Sequence, residues 1–378
     1  MIIAVNTRLL LKNKLEGIGW FTYETLSRIT KDHPEHIFYF LFDRPYHTDF
    51  VFESNVTPII LSPPARHPVL FYIWFEISVA RFLKKLKPDL FLSPDGYLSL
   101  KTKTTSLAVI HDINFEHYPE DFPLIHKKYY HYFFPRFARK ADRIATVSEF
   151  SKQDIMKQYG INASKIDVVY NGYNTLFKPQ SEETNQETRA LYANGSRYFV
   201  FVGALLPRKN LRNLFFAFEQ FKQKTSSDAK LVIVGEKKWW TTSIEEAYKN
   251  ISDKKSVIFT GRLEPVDLNK VLSASIALTY VSYFEGFGIP ILEAFSCGTC
   301  VITSNITSMP EVANDAALLT DPFSVNEIAE AMAKLAENAS LRSSLIEKSK
   351  QQLEKFSWNR TADLLWESIE TTVYNINH

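Results

Sequence analysis

Apolar residues recur along this chain in short blocks separated by longer amphipathic stretches. In the first half, blocks that read as buried strands fall at residues 2–6, 37–42, 56–61, 90–93, 106–110, 143–147 and 166–169. Helical periodicity occupies 20–29, 70–86 and 124–139 between them. A polar stretch at 178–195, rich in Glu, Asn, Gln and Ser, reads as a linker. A second alternation follows, with strands at 198–203, 231–234, 257–260, 276–279, 299–303 and 317–319, then helices at 324–337, 341–354 and 358–374. Beta-alpha alternation predicts parallel sheets covered by helices.

Length and composition narrow the class. A chain of 378 residues exceeds one typical core and fits two domains. At 45% hydrophobic and 23% charged it has the make-up of a soluble globular protein. The apolar stretch 71–80 is interrupted by Glu76, and no run approaches the ~18 residues of a membrane-spanning helix. The N-terminus opens into a strand without a basic leader, so the expected location is the cytoplasm. Net charge is +2, which gives nucleic acid binding no support. That charge is unevenly spread: residues 1–180 hold 23 Lys+Arg against 18 Asp+Glu, and the remainder 21 against 24.

Two cysteines cannot build a disulfide framework, although they do form Cys297-Gly-Thr-Cys300. Redox chemistry needs a stabilised thiolate, and zinc needs further ligands. No second cysteine pair exists and the only histidine after position 131 is His378, so this pair reads as small packing residues.

The most informative segment is Glu285-Gly-Phe-Gly-Ile-Pro-Ile-Leu-Glu293. Pro290 suits the start of a helix, where its missing N–H is not needed. Glu285 then lies in a loop, Gly286 to Gly288 form a turn, and Glu293 sits one helical turn in. The glycines let backbone approach a ligand, and unpaired N–H groups at the helix start favour an oxygen-rich partner. A capped helix bearing two surface carboxylates fits the same residues. Upstream, the strand 198–203 runs into Ala204-Leu-Leu-Pro-Arg208-Lys209-Asn210. Two adjacent cations where a strand hands over to a helix suit a diphosphate. Lys209 is expected there as an exposed side chain with little packing.

Other features carry less chemistry. Gly17-Ile-Gly19-Trp-Phe-Thr22 is a damaged G-x-G-x-x-G, and ten residues separate it from Asn6 at the end of the first strand. The dinucleotide fingerprint sits in a tight strand–helix turn, so an NAD site is rejected. His111-Asp112 ends the strand 106–110, where open α/β sheets bind ligands, although a structural histidine also fits. Asp112 could orient His111, bind a substrate or cap Asn114. No Asp-x-Asp pair occurs. In 122–140, Tyr129, Tyr130, Tyr132, Phe133 and Phe134 interleave with Lys127, Lys128, Arg136, Arg139 and Lys140. That mixture suits either an anionic lipid surface or a helix with an aromatic core face and a basic outer face.

Taken in order, Glu16-Gly17-Ile-Gly19, His111-Asp112, Thr146-Val-Ser148-Glu149, Val169-Tyr-Asn171-Gly172, Arg208-Lys209, Glu285 to Glu293 and Met309-Pro-Glu311 span nearly the whole chain. The pattern resembles the retaining nucleotide-sugar glycosyltransferases of the GT-B fold, in particular the large family 4 that includes many bacterial mannosyltransferases. The resemblance implies an α/β fold of GT-B architecture, with two Rossmann-like domains facing across a cleft. Residues 1–180 would bind the acceptor and 181–355 the nucleotide sugar. The final helix, 356–378, would cross back to the first domain, and Leu364, Leu365, Ile369 and Val373 suit such packing.

The same resemblance implies the site. His111 would lie beside the donor sugar, and Arg208 and Lys209 would neutralise the diphosphate. Glu285 would bind sugar hydroxyls and Glu293 the ribose pair. Gly17, Gly19 and the backbone of Phe287, Gly288 and Ile289 would face donor oxygens, with Arg262 near the base. Many relatives carry arginine where this chain has Ala204, which leaves the diphosphate to Arg208 and Lys209. Neither metal nor cofactor is expected. The donor would be GDP- or UDP-linked, with GDP-mannose favoured, and the acceptor a saccharide or lipid-linked saccharide in surface-glycan synthesis. Peripheral contact with the inner face of the membrane stays open. A sugar phosphorylase or epimerase of the same architecture, or a non-catalytic sugar-nucleotide-binding protein, stands as the alternative.

Overall fold

Met1–Gly172 and the segment from Ser357 onward form one compact unit, and Tyr173–Phe356 a second. The structure is a computed structural model and describes residues 1–12, 14–237 and 240–374. The chain passes between units at Gly172 and Tyr173, earlier than residue 180. The reason is local: Lys178 N donates to Asn269 Oδ1 (3.0 Å) and Gln180 N to Ser273 Oγ (2.9 Å), tying this stretch to the second unit.

The first unit holds β1 (Ile2–Asn6), β2 (Ile37–Phe42), β3 (Val56–Ile60), β4 (Leu90–Ser93), β5 (Ser106–Val109), β6 (Arg143–Thr146) and β7 (Ile166–Val168). They form one parallel sheet in the order β3-β2-β1-β4-β5-β6-β7. Ile3, Ala4 and Val5 are wholly buried, as expected of a strand covered on both faces. The helix Trp358–Tyr374 packs on the helix Gly17–Asp32 and on β4, β5 and β6. It buries Leu365, Trp366 and Ile369, while Leu364 and Val373 are half-buried. A Cβ on Gly172 would lie 2.2 Å from Trp358 N, so only glycine lets that helix start where it does.

The second unit holds β8 (Tyr198–Val202), β9 (Lys230–Val234), β10 (Val257–Gly261), β11 (Ala277–Tyr280), β12 (Cys300–Ser304) and β13 (Leu318–Thr320). These are also all parallel, in the order β10-β9-β8-β11-β12-β13. Phe199, Phe201, Leu231 and Ile233 meet Leu214, Phe218 and Met332 in its core. The ends of β8 and β9 approach closely: a Cβ on Gly235 (φ +155°) would sit 1.9 Å from Gly203 O.

Two expectations are corrected. The polar stretch 178–195 is no linker: Glu182–Ala193 is a helix, capped by Ser181 Oγ accepting from Thr184 N, with Glu182 and Glu183 in its first turn. It buries only Thr188 and Ala193, so its periodicity was hidden in polar residues. The stretch 70–86 is not one regular helix. A π-helical segment, Trp74–Val79, separates Pro68–Ile73 from Ala80–Leu86. There Glu76 is buried and accepts from the N–H groups of Leu100 (2.8 Å) and Lys101 (3.2 Å). Among the described residues, no helix is long and apolar enough to cross a membrane.

Candidate active site

In each unit the strand order turns back beside the first strand, and open α/β sheets bind ligands outside the C-terminal ends of strands at such a point. In the second unit this point lies between β8 and β11. Beyond β8 the chain makes the turn Pro207–Lys209, and Asn210 takes a left-handed conformation (φ 61°). Asn210 Nδ2 donates to Val281 O (2.9 Å) and Pro322 O (2.7 Å), fixing the turn against the segments after β11 and β13. This throws Arg208 and Lys209 toward the end of β11.

Lys209 is not the exposed cation expected. It is 8% exposed. Its Nζ donates to Glu285 Oε1 (2.6 Å) and Tyr280 Oη (2.6 Å), and lies 4.6 Å from the Tyr280 ring centroid. Arg208 Nη1 donates to Glu285 Oε2 (2.7 Å) and to Phe284 O (3.0 Å). A lysine in so dry a place needs this pairing. Burial acts to raise the Glu285 carboxyl, but Arg208 and Lys209 overcome it and hold it down at about 2. Glu285 is thus a weak base, ionised throughout the neutral range.

The turn that follows is pinned from beneath. Ser308 Oγ reaches both Glu285 O (2.9 Å) and Phe287 O (2.8 Å). Gly288 (φ 113°) caps the helix Ile289–Ser296, with Pro290 in the first turn. The N–H groups of Gly288 and Ile289 have no partner among the described residues, which leaves donors at the helix start. Glu293 lies one turn in, half-buried, and its carboxylate makes no hydrogen bond among the described residues. Burial pushes it up to about 7. The two glutamates therefore differ in kind: one permanently charged between two cations, the other poised to titrate.

Arg208, Lys209, Glu285, Phe287, Gly288, Ile289 and Glu293 all belong to this one place. Arg262, just past the edge strand β10, is exposed and unpaired among the described residues. The remaining candidates lie in the first unit. His111 follows β5; its Nε2 is 2.8 Å from Pro94 O, and its ring meets Phe21 edge-on at 4.9 Å. A carbonyl only accepts, so Nε2 carries the proton. Burial lowers the pKa of His111, so it is neutral and its Nδ1 is an acceptor. Asp112 Oδ1 accepts from Asn114 N (3.0 Å), the capping role. Gly17 and Gly19 lie in the first turn of the helix Gly17–Asp32. A Cβ at Gly19 would meet Leu9 O at 3.0 Å, whereas Gly17 has open space around it.

The roles of Tyr280, Ser308 and Asn210 escaped the sequence analysis. Tyr280 was hidden because the strand was taken to end at Thr279. Ser308 and Asn210 act through contacts distant in sequence, which no local pattern reveals. Cys297 and Cys300 are free and buried, and burial raises both thiols. Cys297 Sγ sits 3.1 Å from Asn269 Oδ1 on the neighbouring helix Pro265–Ser273, a packing contact between two helices.

Comparison with known proteins gives this geometry its context. A family model described as Glycosyltransferase Family 4 matches residues 15–176, and one described as Glycosyl transferases group 1 matches residues 183–352. The chain is 31% identical over 255 residues to the O-antigen chain mannosyltransferase RfbU of Salmonella typhimurium, covering 68% of this chain and 67% of that protein. It is 28% identical over 277 residues to the O-antigen chain mannosyltransferase B of Escherichia coli, covering 73% and 72% respectively. Among solved structures, Anabaena HepE in complex with UDP and glucose superimposes with a TM-score of 0.74 at 18% identity, over 98% of this chain and 99% of that one. WaaG, a glycosyltransferase involved in lipopolysaccharide biosynthesis, gives 0.72 at 16% identity, over 96% and 98%. These two likenesses establish the GT-B fold. With both halves matched in order, and a relative at this identity over two thirds of each protein, the chain belongs to the family 4, group 1 glycosyltransferases.

Proposed function

We propose that this glycosyltransferase moves mannose from GDP-mannose, with retention at the anomeric carbon, to a saccharide or lipid-linked saccharide in surface-glycan synthesis. The choice of mannose follows the names of the two relatives above. The observation that carries the chemistry is the convergence of Arg208 and Lys209 on Glu285 beside the helix start at Gly288. Without donor, Glu285 pairs with both cations and offsets one of their two charges. An arriving diphosphate takes over their N–H donors, and Glu285 turns to the sugar hydroxyls. As the glycosidic bond breaks, charge grows on the departing phosphate, where the cations stabilise it.

Without donor the Glu285 carboxyl, held at about 2, is a poor base, and with donor bound its oxygens are taken up by the sugar hydroxyls. The acceptor proton therefore goes to the leaving phosphate on the same face, which yields retention. Arg208 and Lys209 supply the countercharge that a divalent ion gives elsewhere, so turnover should survive a chelator. A UDP-linked donor is the competing reading, because HepE was crystallised with UDP and with UDP-glucose. Thermal shifts with GDP, UDP and ADP at saturation, followed by NMR of the product anomer, test both choices. Ligand at 100 times its dissociation constant stabilises by about 2.7 kcal/mol, a readable shift. A preference for UDP overturns the GDP-mannose assignment, and an inverted anomer overturns the mechanism.

Peripheral membrane contact belongs to the same proposal. In the helix Leu124–Lys140, Tyr129, Phe134 and Phe137 are buried as core. Leu124 (75%), Ile125 (44%) and Tyr132 (53%) are exposed, as are Val69 (55%) and Tyr72 (40%) on the adjoining helix Pro68–Ile73. Arg66, Lys128 and Arg136 are exposed alongside. Apolar side chains among cations fit an anionic bilayer surface. Co-sedimentation with phosphatidylglycerol vesicles should be strong at low salt and absent with phosphatidylcholine; equal binding to both would refute it.

A further inference from the structure

The first unit has its own switch point, between β1 and β4, and it carries a group with no role so far. Arg8, two residues beyond β1, is 8% exposed, and its Nε donates to Asp95 Oδ2 at 2.7 Å. Asp95, beyond β4, is filled from its own chain. It accepts from Asn6 Nδ2 (2.7 Å), Ser93 Oγ (3.1 Å) and Tyr97 N (3.3 Å). The guanidinium lies over the rings of Tyr97 (4.6 Å), Phe71 (5.1 Å) and Phe75 (5.9 Å). Asp95 and the aromatics therefore fix its orientation.

The outer edge of the fork is not used up. Nη1 reaches only Ala65 O, at 3.4 Å, and Nη2 has no hydrogen-bond partner among the described residues. Nη2 is open to solvent, so a fork held rigid by Asp95 and three rings can offer its outer edge to an acceptor atom of a ligand. Charge narrows what that acceptor is. Arg8 is balanced by Asp95, and neighbouring Asp43 is paired with Arg44. The locality is neutral overall and suits hydroxyl oxygens better than a phosphate. The turn bearing Asp95 also holds His111 through Pro94 O, so this edge adjoins the histidine at the end of β5.

We propose that the Nη edge of Arg8 is a subsite for a neutral sugar ring of the acceptor, with Asp95 as its positioning residue. The proposal rests on the reading that the first unit takes a saccharide acceptor. Arg8→Lys keeps the charge beside Asp95 and removes the fork. With octyl α-D-mannopyranoside as acceptor, KM for the glycoside should rise about ten-fold or more, the loss of a hydrogen bond to a charged donor. The dissociation constant for GDP, measured by calorimetry, should not change. An acceptor KM within two-fold of wild type overturns the subsite, as does an equal loss of GDP affinity.

Should the variant not fold, hydrogen–deuterium exchange of the wild-type protein decides. Adding the same glycoside without donor should slow exchange in residues 6–12 and 94–98. Unchanged exchange there at millimolar glycoside overturns the proposal. Absence of turnover from every nucleotide sugar counts against the proposed function instead, because the exchange measurement requires no donor.

Discussion

Replacing Lys209 by alanine is expected to cut turnover at saturating donor by about 100–1,000-fold, the loss found when a preorganised donor aimed at developing charge is removed. The same substitution should destabilise the fold. Glu285 is 8% exposed and would keep Arg208 as its one cation among the described residues. Removing one partner from a buried ion pair costs up to about 3–5 kcal/mol, and the surviving Arg208 reduces that to about 1–3 kcal/mol. A fall in Tm of several degrees follows. Two variants separate the effects. Lys209→Met alone leaves Glu285 paired with Arg208, whereas adding Glu285→Gln also strips Arg208 of its carboxylate and should lower the stability further. Turnover should stay low in both. Near-normal turnover in Lys209→Met would falsify the leaving-group role, and an unchanged Tm would contradict the buried pairing.

The affinity for GDP-mannose is expected to rise between pH 6 and pH 8 with a midpoint near 7. Burial pushes the Glu293 carboxyl up to about 7, so below that pH it is protonated and above it ionised. The proposed partner is a ribose hydroxyl pair, which donates, and hydrogen bonds to an ionised acceptor are roughly twice as strong as neutral ones. A gain of about ten-fold across the window is reasonable for one such bond. The intact nucleotide sugar is the right probe, since its diphosphate diester does not titrate in this range. Glu293→Gln should bind more weakly than wild type at pH 8 and show no slope.

Stability should move the other way. A carboxyl whose folded value lies above its unfolded value contributes fully only below the unfolded value of about 4.5. That contribution is lost as pH rises from about 4.5 to 7, so the unliganded protein should lose stability mostly below the interval in which it gains affinity, and level off above 7. Glu293→Gln should abolish this loss. A wild-type affinity that is flat from pH 6 to 8 would show that Glu293 does not meet the ligand.

Fold type and most strand positions were legible in the sequence because parallel strands buried on both faces are nearly continuous apolar runs, as in 198–203 and 231–234. The helix Glu182–Ala193 was not, because its signal lies in a serine cap and two glutamates instead of an apolar stripe. Residue types around the site were also legible. Two cations at a strand end, two carboxylates across a Gly-rich turn and a proline at a helix start are each local constraints on backbone or charge. What those groups do to one another was not. Whether Lys209 is exposed or buried, and whether Glu285 sits at about 2 while Glu293 sits at about 7, depends on which side chains meet. Those meetings, Lys209 with Tyr280 and Glu285, and Arg8 with Asp95, join residues 71 to 87 positions apart. Desolvation and Coulomb attraction act through space, so only the tertiary structure could decide them.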